Sequence, residues 1–213
     1  MGIAERRERE KRSRQDMTIN AAMELYNEEG YHAITMEKIA ERSELSRAAL
    51  YLYFKTKDEI FVSAIVASTN YFGDILQEIY DRRESIKERL IEELWDSFRI
   101  FYEKDPVTFN ASLYFHQSEI TRNLSEELRE RLYESGSRVV RLQHKIIKYG
   151  VDEEIFIQCN PMTLTEVIWA CFFGITQLER SKQVASRKNH LDITRDFAIK
   201  VLARSIIRNG PSI

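Results

Sequence analysis

The sequence predicts an all-α protein: an N-terminal three-helix unit containing a helix-turn-helix, then a larger helical domain, with about nine helices in total. Three observations predict it. Only 7 glycines and 3 prolines interrupt 213 residues, too few breakers for a turn-rich β-sandwich. Apolar residues recur at three- and four-residue spacing, and no stretch alternates convincingly as a strand does. Residues that cap helices stand where the periodic stretches begin.

The elements follow in order. Residues 1–14 are Arg-rich and read as a basic flexible arm. From Asp16 to Glu29, Ile19, Ala22, Met23 and Tyr26 keep helical spacing, and Gly30 is the stop. Thr35 caps a short helix from Met36 to Ser43, and Ser46 caps another that runs to Tyr53. A long helix opens at Lys57, Asp58 and Glu59 and reaches about Tyr80. Ser85 to Glu103 is next, and Asp105–Pro106 starts a shorter helix, with Pro in its first turn. Ser125 starts one that runs to Tyr149. Asn160–Pro161 opens a helix to about Arg180, and Gly210–Pro211 closes the last, over 192–208. The expected division is arm 1–14, a helix-turn-helix domain 15–60 with its motif at 35–54, and a second domain 61–213.

Composition narrows the function. The net charge is −2, with 43% hydrophobic and 31% charged residues, a globular balance. No Gly-rich phosphate loop occurs, so no nucleotide cofactor is expected. Cys159 and Cys171 lack zinc-ligand spacing, and no metal site is expected. No G-x-S-x-G or H-E-x-x-H occurs and the four histidines are scattered, so no catalytic residues and no enzyme are expected. No apolar run is long enough to span a membrane and no signal-peptide pattern opens the chain, which makes the cytoplasm, with both thiols reduced, the expected location.

Residues 30–61, GYHAITMEKIAERSELSRAALYLYFKTKDEIF, carry the functional signal. Two short capped helices joined by a tight turn form a helix-turn-helix, with Ile39, Ala40, Leu45 and Leu50 as its small core. The second helix presents Ser46, Arg47 and Ala48 at the end where such a helix meets base edges. Tyr51, Tyr53, Lys55 and Lys57 supply hydroxyls and ammonium groups suited to phosphate oxygens. Charge is distributed accordingly. Residues 1–14 hold six Arg or Lys and three Glu, and residues 45–57 hold Arg47, Lys55 and Lys57 with no acid. The acids between them belong on the face turned away from DNA. From the residues alone, a purely structural helical unit or a protein-interaction module stays open beside DNA binding.

This segment resembles the tetracycline-repressor (TetR) family of bacterial transcription regulators, whose pattern is G-[YF]-x-x-[TS]-[TSVM]-x-x-I-A-x-x-[AS]-G-V-S-x-[GA]-x-[LI]-Y-x-[HY]-F-x-[SNT]-K-x-[ED]-L. The chain supplies Gly30, Tyr31, Thr35, Met36, Ile39, Ala40, Ser46, Ala48, Leu50, Tyr51, Tyr53, Phe54, Thr56, Lys57, Glu59 and a conservative Ile60. The resemblance implies that Thr35 and Met36 lie beside the phosphate backbone and that Arg47 and Ala48 face bases. It implies that Tyr51, Tyr53 and Lys57 clamp phosphates, and that Ala48 or Ala49 touches a thymine methyl. It further implies that the basic arm, including Arg12 and Arg14, reaches phosphates or a minor groove. One departure is Glu44, which stands where the family has a turn glycine.

The larger domain is rich in aromatics. Small ligands favour apolar sites between helices, and the candidates are Trp95, Phe98, Tyr102, Phe109, Tyr114, His116, Trp169 and Phe173, with Asn110, Gln117 and Gln177 as further polar groups. In TetR-like regulators this domain binds an inducer, here expected to be largely apolar or aromatic, and the last two helices dimerise. The segment after Pro161 is apolar nearly all round at its centre and must be covered on several sides. Trp169, Ala170, Gly174, Leu178, Phe197 and Val201 are the interface candidates. The expected protein is a homodimeric repressor of a near-palindromic double-stranded DNA operator, released by a small-molecule effector.

Overall fold

The structure, a computed structural model, describes residues 2–117, 119–186 and 190–208. These form α1 (Ile3–Glu29), α2 (Met36–Arg42), α3 (Arg47–Tyr51), α4 (Lys57–Arg82), α5 (Leu90–Lys104), α6 (Pro106–Gln117), the single turn α7 (Ile120–Asn123), α8 (Glu126–Asp152), α9 (Pro161–Ser186) and α10 (Leu191–Ile206). Two 3₁₀ segments, Tyr31–Ala33 and Arg83–Arg89, connect them. Among the described residues there is no strand, only one isolated bridge between Phe156 and Ile207. The all-α class with an N-terminal helix-turn-helix is as the sequence predicts.

Caps place the helix starts. Thr35 Oγ1 accepts from the Lys38 N–H (3.3 Å), and Ser46 Oγ from that of Ala49 (3.1 Å). Asp105 accepts from the Thr108 amide at 2.9 Å, and Asn160 from those of Met162 and Thr163. Thr56 and Glu59 cap α4 from both sides: Thr56 Oγ1 accepts from the Glu59 amide, while the Glu59 carboxylate accepts from that of Lys55.

Several boundaries differ from the periodicity. The first helix begins at Ile3, so the basic segment expected as a flexible arm is helical and continuous with the rest of α1. Residues 4–14 are exposed, with charge pairs one turn apart, Arg6 with Glu10 and Arg12 with Glu8. The segment expected as one helix from Ser85 is 3₁₀ as far as Arg89, with non-helical backbone at Ile86. The helix expected to end at Tyr149 continues to Asp152. Gly150 does not stop it. A Cβ there would lie 2.3 Å from the Phe156 ring, so the glycine lets that buried ring close against the helix. Glu154, at φ 56°, then reverses the chain. Gly210 and Pro211 lie outside the described residues.

The chain forms two compact units. One comprises Met1–Tyr71 and Phe101–Gly136, the other Phe72–Ile100 and Ser137–Ile213. In the first, Leu25, Ile34, Ile39, Leu50, Phe54, Phe61 and Phe115 share one buried core. Tyr31 stands edge-on to Phe61 (5.0 Å between ring centres) and to Phe115 (5.3 Å), and those two rings stack on each other. In the second, Phe72, Trp95, Phe98, Trp169, Phe172 and Phe173 form a continuous aromatic cluster.

The turn between α2 and α3 is fully bonded. The Leu45 N–H donates to the Ala40 carbonyl (2.9 Å) and that of Glu44 to Glu41 (3.1 Å), the paired bonds of a Schellman ending. Ser43 Oγ donates to the Ile39 carbonyl. Glu44 carries φ 54°, the left-handed conformation that glycine adopts without steric cost. Glu44→Gly should therefore stabilise the protein by about 1 kcal/mol, or roughly 2–4 °C in a chain of this size. Thermal melting followed by circular dichroism checks this, and a fall in the midpoint would contradict the turn described.

Candidate nucleic-acid interface

The short core under α2 and α3 decides which side chains remain outside. Ile39, Ala40, Leu45, Leu50 and Phe54 are buried. At helical period this turns Ser46, Arg47, Ala48 and Tyr51 to solvent, with Lys55 exposed beyond them. Ala49 and Tyr53 are half-buried beside this face, and Thr35 is exposed at the start of α2. The structure thus brings most of the expected contact residues onto one exposed surface.

Two do not join it. Met36 is buried in the core, where its apolar side chain is more stable than beside phosphate. Lys57 turns inward as well. Its ammonium donates to the Tyr31 and Ile34 carbonyls, both at 3.1 Å, and lies 4.3 Å from the centre of the Tyr31 ring. Its donors and charge lock the loop before α2 onto the start of α4, so a phosphate clamp at Lys57 is not what this geometry provides.

The cations of α2 are likewise committed. Arg42 forms a two-pronged pair with Glu28 (2.7 and 2.9 Å) and touches Glu24, while Lys38 pairs with Glu29 and donates to the Ala33 carbonyl. The Arg42 hydrogen bonds hold the Glu28 carboxyl below its ordinary range. Acids of α1 therefore face α2 cations, and the basic groups left outward are on α3, after it and on the arm. Arg12 is paired with Glu8, and Arg14 is exposed.

Arg47 is not idle. Its guanidinium lies 2.9 Å from a Glu37 carboxylate oxygen and 5.7 Å from the centre of the Tyr51 ring. Tyr51 and then Glu37 raise its pKa above the ordinary value, so it stays a cation at any working pH.

The expected ligand residues fall into separate groups. Trp95, Phe98, Trp169 and Phe173 meet in the aromatic cluster of the second unit. Tyr102 and Phe109 pack together in the first unit, edge to face. Tyr114 packs near Tyr31 and its hydroxyl meets the His32 ring. His116 is exposed at the end of α6 and Gln177 is exposed on α9, while Asn110 is half-buried. The side chain of Gln117 lies outside the described residues. The expected interface residues form a pattern: Ala170, Gly174 and Leu178 are exposed on α9, and Phe197 and Val201 on α10. Trp169 is half-buried beside them.

The family model described as "Bacterial regulatory proteins, tetR family" matches residues 19–64, the span of this helix-turn-helix. The fatty acid metabolism regulator protein of Bacillus subtilis is 26% identical over 163 residues, 75% of this chain and 84% of its own. The biofilm operon icaADBC negative transcriptional regulator IcaR of Staphylococcus epidermidis is 28% identical over 122 residues, 53% of this chain and 66% of its own. The fold is shared with the SmeT–triclosan complex, at a TM-score of 0.72 and 18% identity, covering 94% of this chain and 95% of that one.

Residues 19–64 match the tetR-family domain, and the chain is similar over most of its length to a transcriptional regulator. Sequence reasoning missed two residues of the exposed helix-turn-helix surface. Leu52 is 80% exposed just beyond Tyr51. Its offset of two from buried Leu50 at helical period was the available signal. Glu37, which holds Arg47, gave no signal, because its partner lies on the other helix of the motif. Lys57→Ala should lower stability by about 2 kcal/mol, since two carbonyls lose their donor. Lys55→Ala should change it by less than about 0.5 kcal/mol. Urea unfolding of the two variants side by side makes the comparison, and equal effects would refute the inward role of Lys57.

Proposed function

We propose that this regulator is a homodimeric repressor that reads a near-palindromic operator through α3 and leaves it when a small molecule binds. The observation that carries the DNA-reading part is the capped α3, which exposes Arg47, Ala48, Tyr51 and Leu52 together on a fully bonded turn. Arg47 reaches the O6 and N7 of a guanine, and Ala48 or Ala49 meets a thymine methyl. Thr35, Ser46, Tyr51, Tyr53 and Lys55 bind phosphates, and Arg12 and Arg14 add sequence-independent attraction.

Dimerisation is supported by an uncovered apolar stripe. On α10, Ile193 and Phe197 are 70% and 68% exposed, with Val201 one turn further on. On α9, Val167 and Leu178 are exposed, with Ala170 and Gly174 between them permitting close approach. A stripe of this kind marks an interaction surface, and a two-fold dimer matches a near-palindromic operator whose half-sites lie about one DNA turn, ~34 Å, apart.

Effector release is supported by the aromatic cluster around Trp169 and Phe98, and by triclosan, the aromatic molecule named with the SmeT complex that shares this fold. In this reading residues 15–60 bind DNA and 61–213 bind the effector and the second subunit. The effector must bind better to the dimer geometry that does not fit the operator, because equal affinity shifts nothing. The helix α4 supplies residues to both compact units, which makes it the element through which binding changes half-site spacing. Repression follows the relative named as a negative regulator. The proposed location is the cytoplasm, and no helix among the described residues is long and apolar enough to cross a membrane.

Selection of bound fragments from random genomic DNA at low salt tests the reading. The full chain should retain fragments sharing one palindrome, and Arg47→Ala should lose about 1–3 kcal/mol of discrimination at one position in each half-site. Retention of no fragment would refute it. Phe197→Glu should convert the dimer to a monomer in light scattering and weaken operator binding. A variant that stays dimeric would remove α10 from the interface.

A further inference from the structure

We propose that Gln143 is the polar end of the effector site in the second unit, and that the site takes a neutral carbonyl compound with an aromatic or apolar body. The inference rests on the effector-responsive reading above and adds the chemical class of the ligand.

Gln143, on α8, is 1% exposed. Its Oε1 accepts the indole N–H of Trp169. An indole nitrogen only donates, so this bond fixes the orientation of the amide: oxygen toward Trp169, NH₂ away from it. Among the described residues that NH₂ has no partner, although it is buried. A buried amide donor without an acceptor costs about 1–3 kcal/mol, and native proteins keep such groups where something else completes them.

The surroundings point to an organic acceptor. Trp169 stacks on Phe173 at 4.4 Å and stands edge-on to Phe98 and Phe72. Phe72, Phe98 and Phe172 are fully buried, whereas Trp169 and Phe173 are half-buried. A flat or apolar body suits these rings. One neutral amide donor matches one carbonyl oxygen. A carboxylate fits poorly, because among the described residues neither Gln143 nor Trp169 pairs with a Lys or Arg, and a buried anion needs such a partner.

Three probes of one shape separate the possibilities on the full-length protein: 2-acetylnaphthalene, 2-ethylnaphthalene and 2-naphthoate. Calorimetry should find the ketone bound about tenfold tighter than the hydrocarbon, the worth of one buried hydrogen bond, and tighter than the carboxylate. In Gln143→Met, of similar length but without donors, the ketone's advantage should fall to near one. The native complex gives a second readout that needs no variant: the infrared stretch of the bound ketone should lie below its value in hexane. Equal binding of ketone and hydrocarbon by the native protein, an advantage that survives Gln143→Met, an unshifted carbonyl stretch, or preference for naphthoate would each overturn the proposal. Fragment retention is measured on the same preparation. Failure of the probes with DNA retained sinks this inference alone, while selective probe binding without DNA retention sinks the regulator reading and leaves the site standing.

Discussion

The first compact unit depends on Tyr31. Gly30 adopts φ 76° and ψ 162°, a conformation open to glycine, and this reverses the chain after α1 so that the next side chain points into the core. The ring then packs edge-on against Phe61 of α4 and Phe115 of α6. Its hydroxyl donates to Asp58, in the first turn of α4, and the Lys57 ammonium sits over its face. Burial and then the Asp58 carboxylate push the phenol well above its ordinary range, so it remains a neutral donor. One residue thereby ties the end of α1, the loop that leads to α2, and the start of α4 to a single point. The placement of α2 and α3 follows, because little but the caps and the turn remains to be fixed.

The charge distribution makes sense against that frame. A net charge of −2 suggests a protein indifferent to DNA. The acids are not spread evenly, however. Glu24, Glu28 and Glu29 are spent on Arg42 and Lys38, which ties α2 to α1. These exposed pairs contribute little stability individually. Their larger effect is to remove two cations and three acids from the electrostatics of the outward face. Arg47, Lys55 and the arm then set the local sign where a duplex would lie.

Much of this was legible in the chain because it is local. Thr35, Ser46, Asp105 and Asn160 act within three residues of themselves, so their caps could be read directly. The positive φ at Glu44 was not read from the residues; only the family's glycine at this place pointed toward it. What was not legible depends on partners distant in sequence. Lys57 looked like a phosphate ligand because its carbonyl partners belong to residues 31 and 34. Met36 was placed beside phosphate by the family resemblance alone, and its burial depends on core residues distant in sequence. The helical run before Asp16 has no hydrophobic period at all. Trp169 was legible as an aromatic, but the amide of Gln143 that fixes its role comes from another helix.

The pair between Glu37 and Arg47 has a consequence for how such a protein would choose among bases. Both side chains are exposed, so the contact is weak and holds the guanidinium without fixing it. In the reading proposed above, a base edge competes with the Glu37 carboxylate for the same donors. A bidentate partner outweighs the contact given up, and a poorly fitting one does not. Glu37 would then bear on which base is chosen and not on the hold on phosphate.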